Sequence, residues 1–456
     1  MDKVRPRYVW LAVVVAVLTG GVMMALGLPP GIILTAAITV LVAVCWVTEA
    51  MPLAVTSLIP FVAFPMAGVL TYQQAAAALG NPVILLLMGA FMLSKALEKS
   101  GVHQRLAIYL LRLTGTRSAR RLVLGFMLTA AVLSMGVSNT ATALMLLPIA
   151  LAVIAPLESH ALATAILLGI AYGASVGGIG SPIGTPPNVI FMSMYEQATG
   201  NTISFLEWMK TGLWVVVIAI PLMALWLTRG LSTLPVLSLP ELTRWRPAER
   251  RVLWVFTAIA LAWVFRPYWT AWLGMPFIGD SSIALAGVIL MCLIPNGEAT
   301  GSGRLLDWKT AEQIPWGLLL VFAGGICLAT AFTASGFSQR LGEALGGVGD
   351  LPVILLVLVL CVAVSFLTEV TSNTATATLL MPILASVAVA IDIDPALLMM
   401  PAAMSASCAF MMPVATPTNA IVYSSGKLAI ADMAREGLIL NLLLAVIITG
   451  VVTMTR

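Results

Sequence analysis

The chemistry-bearing residues of this 456-residue chain occur as two copies of one string. Residues 138–143 read SNTATA and residues 372–377 read SNTATA again, offset by 234, and each copy is followed by Pro-Ile, at 148–149 and 382–383. A second pair lies downstream, GTPPN at 184–188 and ATPTN at 415–419, and a third lies upstream, SGVHQRL at 100–106 and SGFSQRL at 335–341. Three pairs at near-constant offset mark two homologous halves.

The types and spacing suggest what these strings can bind. Ser138, Asn139 and Thr140 precede an apolar helix-forming run, as do Ser372, Asn373 and Thr374, so each triplet falls at N-cap and first-turn positions. Pro186, Pro187 and Pro417 suit the first turn of a helix that resumes after a break. Four such helix starts present unpaired N–H groups and partial positive charge, which can hold an anion without Lys or Arg. The same breaks free carbonyls in the loops Gly184–Asn188 and Ala415–Asn419. Together with Ser134, Ser138 and Asn139, or with Thr368, Thr371 and Asn373, they offer two all-oxygen cages suited to Na⁺. One clamp per half points to a two-headed anion, a dicarboxylate. Small polar residues also serve close packing of apolar helices, but packing alone does not account for two SNT copies coupled to two TPxN loops.

Composition defines the elements that must position these residues. Lys plus Arg number 23 and Asp plus Glu 19, so 9% of residues are charged, against roughly 25% in soluble proteins. With 60% hydrophobic residues and recurring apolar runs of about 20, the chain reads as an all-α polytopic membrane protein. Its bases form no aromatic-interleaved stripe, which argues against nucleic acid. Cys45, Cys292, Cys327, Cys361 and Cys408 lack CxxC or Cys/His spacing and read as small buried hydrophobes. The run 8–28 follows Lys3, Arg5 and Arg7 but is long and lacks an A-x-A site, so it reads as a first span and not a signal peptide.

Hydropathy predicts eleven spans, near 8–28, 32–50, 53–70, 83–99, 161–195, 208–228, 252–272, 281–295, 315–335, 395–425 and 437–455. Two further apolar stretches, 121–157 and 351–391, carry polar residues at their midpoints and are predicted to be re-entrant hairpins. This arrangement puts 19 of the 23 bases on the cytoplasmic side, Lys3 and Arg117 among them, with only Lys210, Arg266, Arg340 and Arg456 outside. The N-terminus is then cytoplasmic and the C-terminus outside, in a plasma (inner) membrane. Five crossings separate the hairpins, so the halves are inverted, the usual construction of a secondary transporter. The expected organisation is a first helix in 1–31, an N-terminal repeat in 32–230 with its broken helix at 161–195, a cytoplasmic linker in 231–251, and a C-terminal repeat in 252–456 with its broken helix at 395–425.

The intramembrane acids Glu49 and Glu369 are functional candidates by default. Glu369 precedes Asn373 by one helical turn and is expected to touch the cation site or to brace the hairpin. Glu49, before Pro52, reads as a helix-end residue. Residues 101–116 form an amphipathic interfacial arm with His103, Gln104, Arg105 and Arg112 as its polar complement, and a counterpart lies near 336–346. His103 and His160 read as surface residues.

The paired SNT motifs, the TPxN loops, TEVTSNTATAT at 368–378 and WVTEAMP at 46–52 closely resemble the divalent anion/sodium symporters, the sodium–dicarboxylate cotransporters of bacteria and animals. The resemblance covers essentially the whole chain. It implies eleven spans and two hairpins in a homodimer whose transport domain moves like an elevator. It also implies one Na⁺ site at Ser134, Ser138, Asn139 and the Gly184 carbonyl, and a second at Thr368, Thr371, Asn373 and the Ala415 carbonyl. Substrate carboxylates would be held by Asn139, Thr140, Asn373, Thr374 and the Pro417 region. Thr418 stands where the first loop has Pro187, an asymmetry that bears on loop stiffness or on substrate choice. The expected activity is sodium-coupled import of C4-dicarboxylates such as succinate, malate or fumarate. Alternatives are sulfate or citrate as cargo, dicarboxylate exchange, or cation/proton antiport. An enzyme is disfavoured because no nucleophile with a base partner lies in the spans.

Overall fold

A computed structural model describes residues 4–115, 118–155, 159–231, 244–298, 303–345 and 351–456. Lys3, Arg117 and most of the expected linker, 232–243, lie outside the described residues. The described chain is all-α, and its one β feature is an isolated bridge between Pro295 and Arg304.

The helices before the first arm are α1 (Pro6–Ala25), α2 (Pro30–Thr48), α3 (Leu53–Thr56), α4 (Ile59–Met66), α5 (Tyr72–Ala77) and α6 (Pro82–Ser100). The first arm is α7 (Val102–Thr114), followed by the hairpin α8 (Ala119–Ser134) and α9 (Asn139–Ile154), the broken pair α10 (His160–Ile179) and α11 (Pro186–Thr199), and α12 (Phe205–Leu227). The second half opens with α13 (Pro247–Val264), α14 (Arg266–Trp272), α15 (Asp280–Leu293), α16 (Trp308–Ala311) and α17 (Trp316–Ser335). It continues with the arm α18 (Phe337–Leu345), the hairpin α19 (Val353–Thr368) and α20 (Asn373–Ala390), the broken pair α21 (Ala396–Ser405) and α22 (Pro417–Tyr423), and α23 (Ile430–Thr455).

Local sequence explains the punctuation. Proline sits in the first turn of α1, α2, α6, α11, α13 and α22, where its missing N–H costs nothing. The two arms turn off their parent helices at equivalent glycines, Gly101 (φ 75°) and Gly336 (φ 77°), in a left-handed conformation that other residues adopt at a cost.

Eight described helices are long and apolar enough to cross a bilayer, or nine if α13 and α14, bent by 76°, form one span. The other regions expected as spans are shorter or interrupted helices. Region 53–70 breaks after Ser57, next to Pro60, which cannot donate to a continuing helix, and 395–425 breaks between α21 and α22. Region 281–295 closes after a helix of 14 residues, whereas α20, one arm of the second hairpin, is itself 18 residues long.

Helix α10 packs against α8, α9 and α12 of the first half and is almost wholly buried. Gly169, Gly173 and Gly177, four residues apart, turn one small face of α10 toward α8. A Cβ at Gly173 would lie 2.8 Å from the Met127 carbonyl, and one at Gly177 would collide with the Ala131 backbone. This is the close approach that small residues permit in apolar helix pairs.

The arm α7 departs from its sequence reading at Arg105 and at His103, which was expected at the surface. Arg105, expected on the polar face, is buried and pairs with buried Glu249 of α13 at 3.0 Å (Nε to Oε2). Its Nη2 donates to the Arg244 carbonyl at 2.9 Å, and its guanidinium lies 4.7 Å from the Trp245 ring centroid. His103 is half-buried, with Nδ1 3.0 Å from the Leu97 carbonyl. Nearby, Lys99 pairs with Asp307 and holds that carboxyl at about 2.

Gly177→Val should strongly destabilise the protein, by about 3 kcal/mol or more, because overpacking here meets backbone and not a movable side chain. Thermal unfolding in detergent measures it. Gly450→Ala in α23, where an added Cβ meets nothing within 4 Å, should leave the midpoint unchanged or raise it slightly.

Candidate functional site

Each hairpin tip is built by one side-chain bond that recurs in both halves. Ser134, the last residue of α8, donates its hydroxyl to Asn139 Oδ1 at the start of α9. Thr368, the last residue of α19, donates to Asn373 Oδ1 at the start of α20, at 2.7 Å. Ser134 and Thr368 are fully buried, while the two asparagines are half-buried. The Asn oxygens therefore face inward at the break, where a cation could compete for them.

Ser138 and Ser372 occupy the N-cap positions expected of them. Ser138 is exposed and accepts from Ala141 N–H at 3.2 Å, whereas Ser372 makes no such side-chain cap. Thr140 is half-buried beside Asn139, and Thr374 is buried. Thr371 lies differently from its neighbours. Its hydroxyl donates to the Leu367 carbonyl at 2.8 Å and meets Thr376 Oγ1 at 2.6 Å. The structure thus brings the Thr368 hydroxyl to Asn373 and turns the Thr371 hydroxyl toward Leu367 and Thr376.

The TPxN loops are held by asparagines that motif reasoning did not single out. Asn188 Nδ2 donates to the carbonyls of Gly178 and Ser181 at 2.9 and 2.8 Å. Asn419 Nδ2 donates to Ala409 and Met412 at 2.9 and 3.0 Å. Gly178 and Ala409, like Ser181 and Met412, differ by 231, so the repeat conserves each bond as well as each residue. Asn188 and Asn419 are fully buried. The signal for them was present in the sequence, in the Asn that ends both TPxN strings.

Around Gly178 the first cage closes. A Cβ there would stand 3.0 Å from Asn139 Oδ1 and 3.2 Å from the Gly184 carbonyl, so those two oxygens converge on one small space. Gly184 in turn lies against the carbonyls of Gly178 and Ser134. In the second half, Ala415 is half-buried, with its N–H on the Met412 carbonyl at 3.2 Å, and Pro417 is the exposed first residue of α22.

The halves meet crosswise at this centre. Helix α9 of the first hairpin packs on α22, and α20 of the second packs on α11. Thr185 and Ser407 hydroxyls lie 3.3 Å apart, and Ser175 and Thr418 3.4 Å apart. Thr418, in place of a second proline, is buried and also meets Thr416 Oγ1 at 2.8 Å. Its hydroxyl thus links the second loop to Ser175 of the first half.

Glu369 is buried and braces the second break. Its Oε1 accepts from Phe410 N–H at 2.6 Å, Met411 N–H at 2.8 Å and Asn441 Nδ2 at 2.8 Å, and its Oε2 accepts from Met412 N–H at 3.0 Å. Tyr172 donates to the Phe410 carbonyl at 2.6 Å. Glu49 is an exposed helix-end residue at φ 48°, lining an open cavity of about 820 Å³ with Arg5, Pro52 and Pro315, away from the hairpin tips.

An all-α, twice-repeated, strongly apolar fold whose broken helices converge on a polar centre defines a secondary transporter of the membrane. Comparison with known proteins narrows the class. A family profile described as citrate transporter matches residues 43–399, and the chain belongs to that family. It is 39% identical over 439 residues to the sodium-dependent dicarboxylate transporter SdcS of Staphylococcus saprophyticus, covering 91% of this chain and 84% of the relative. It is 39% identical over 441 residues to SdcS of Staphylococcus aureus, with the same coverage. Among solved structures, the YdaH transporter of Alcanivorax borkumensis shares the fold at a TM-score of 0.58 and 17% identity, over 82% of this chain and 85% of that one.

Asn188→Leu and Asn419→Leu each strip the donor from two loop carbonyls. Each should lower stability by about 2 kcal/mol or more, read as a drop in the thermal midpoint.

Proposed function

We propose that the protein is a sodium-coupled symporter that imports small divalent anions, C4-dicarboxylates such as succinate, malate and fumarate, across the plasma membrane. The observation that carries this reading is the doubled polar centre, with Ser134–Asn139 in one half and Thr368–Asn373 in the other. The relatives named as sodium-dependent dicarboxylate transporters support it.

In this reading one Na⁺ takes oxygens from Ser134, Ser138, Asn139 and the Gly184 carbonyl. A second takes Thr368, Thr371, Asn373 and the Ala415 carbonyl. The anion lies between the two tips, its carboxylates on Asn139 and Thr140 and on Asn373 and Thr374, near Pro417. The N–H groups opening α9, α11 and α20 supply partial positive charge. Stretches 134–143, 178–188, 368–378 and 409–419 contain no Lys, Arg or His. The charge that neutralises a dicarboxylate must therefore come from helix ends and from the bound cations, which makes anion binding depend on Na⁺.

Exchange of conformation between inverted halves gives alternating access, here an elevator motion of the hairpin domain within a homodimer. Orientation with the N-terminus inside and the C-terminus outside is supported by mutual contacts among residues expected in the cytoplasm: Lys99 with Asp307 and Arg304, Arg105 with Glu249, and Arg251 with the Pro295 carbonyl. A cation/proton antiporter needs a carboxylate free to exchange protons at the centre. Glu369 is engaged by four donors and Glu49 is exposed at a helix end, so neither suits that role.

Uptake of labelled succinate into proteoliposomes should require an inward Na⁺ gradient and fall to background when K⁺ replaces Na⁺. Uptake indifferent to Na⁺ would overturn symport in favour of exchange. Because the family profile is described by citrate, unlabelled citrate and sulfate serve as competitors, and C4-dicarboxylates should compete best. Asn139→Ala and Asn373→Ala should each reduce uptake by at least about a hundredfold, since each removes an amide shared by cation and anion, while the protein remains monodisperse in detergent. Near-normal uptake by either variant would refute the site assignment.

A further inference from the structure

The open cavity beside Glu49 lies where the segment before α1, the end of α2, the start of α3 and the start of α17 come together. It encloses about 820 Å³, and its lining is apolar except for two charged residues, Arg5 and Glu49. Both are exposed, and among the described residues neither forms an ion pair. One base and one acid therefore face a single cavity, each with its charge open to a ligand.

The backbone holds the two in place. Arg5 N–H donates to the Ala50 carbonyl at 2.8 Å and Arg5 Nη1 to the Thr48 carbonyl at 3.4 Å, so the segment before α1 is fastened on both sides of Glu49. Glu49 closes α2 at φ 48°, ψ 43°, a left-handed cap that glycine fills without steric cost. A carboxylate kept in a strained position with no protein partner is a pointer to a ligand. Helix α1 supplies the surroundings: it buries only Ala12 and Ala16 and exposes Trp10, Leu11 and Val14. A cavity at its first turn thus lies where hydrocarbon gives way to headgroups, in the cytoplasmic leaflet for the orientation proposed above.

The lining selects the occupant by charge. Glu49 repels a simple anion and Arg5 repels a simple cation, so the site suits a zwitterion. A guanidinium fork matches phosphate oxygens, a carboxylate accepts from an ammonium, and Met51, Pro52, Leu53 and Leu318 offer an apolar bed for glycerol and acyl chain. We infer that this cavity binds a phospholipid whose phosphate carries a primary ammonium, phosphatidylethanolamine, with Arg5 on the phosphate and Glu49 on the ammonium. A choline headgroup has no N–H to give Glu49, and a glycerol headgroup has no cation at all. Arg5 reads the phosphate common to all three lipids, and Glu49 sets the choice among them. The inference is independent of which anion is carried and of Na⁺.

Full-length protein purified in detergent is mixed with equal amounts of phosphatidylethanolamine, phosphatidylcholine and phosphatidylglycerol of the same acyl chains, and bound lipid is counted by native mass spectrometry. The wild type should retain phosphatidylethanolamine about fivefold over either of the others, the size of one exposed charge pair. Glu49→Gly removes the carboxylate and suits the left-handed backbone, so it should keep or raise the thermal midpoint without lipid and lose that preference. Arg5→Gln should weaken retention of all three lipids by a similar factor. Equal retention by the wild type, a preference for another of the lipids, or an unchanged preference in Glu49→Gly overturns the inference. Free phosphoethanolamine should leave the lipid in place, because the apolar bed contributes to binding. Displacement by it as effective as by the lipid itself assigns the cavity to a soluble ligand and overturns the lipid assignment. Loss of oligomer mass in both variants with lipid retention unchanged assigns the cavity to a contact between copies and overturns it as well.

Discussion

A break in a helix inside an apolar body is expensive, and the organisation of this protein follows from how that cost is met. Every N–H and C=O released at a break needs a partner where water is scarce. The chain meets this requirement with buried polar side chains. Asn188 and Asn419 each hold two loop carbonyls, Ser134 and Thr368 bond the hairpin asparagines, and Tyr172 holds the Phe410 carbonyl. With those bonds made, the Asn139 and Asn373 oxygens are held at the two breaks by the Ser134 and Thr368 hydroxyls.

The two halves solve the same problem with different residues, and those differences carry information. Thr418 replaces a proline and becomes a tie between halves, while Glu369 replaces the position of Met135 and gathers three consecutive N–H groups. Around this polar centre the packing is close. The glycine face of α10 brings α8 near enough for the hairpin tip to reach Gly178 and Gly184. A frame lies outside it, in which the arm α7 is fastened to α13 by the buried Arg105–Glu249 pair. Such a pair is weak evidence for stability, but breaking one side of it is costly, so it suits a fixed joint between an arm and its support.

Much of this was legible in the sequence because it was written twice. The offset of 234 between SNT copies located both hairpin tips, and the helix starts at Ser138, Ser372, Thr185 and Thr416 follow from capping residues and proline. The break in 395–425 was expected from the sequence, whereas hydropathy did not show that 53–70 is interrupted before Pro60. The role of Arg105 was hidden because a single amphipathic segment does not reveal that Glu249, 144 residues away, waits behind its polar side. The direction of the Thr371 hydroxyl was likewise not legible: a threonine near a helix end readily turns its hydroxyl back to the carbonyl four residues earlier.

The amino-acid sequence by itself determined that the chain is an apolar all-α protein, that it consists of two repeats, and that its polar residues concentrate at four helix breaks. Those properties depend on composition, periodicity and duplication, which are local or self-referential. Only the tertiary structure decided which half each break would face, that α9 meets α22 and α20 meets α11, and that Glu369 spends its carboxylate on the 410–412 backbone. Such pairings join residues tens to hundreds of positions apart, and they are set by how packed helices bring unsatisfied backbone groups within hydrogen-bond reach, a geometry that no linear pattern encodes.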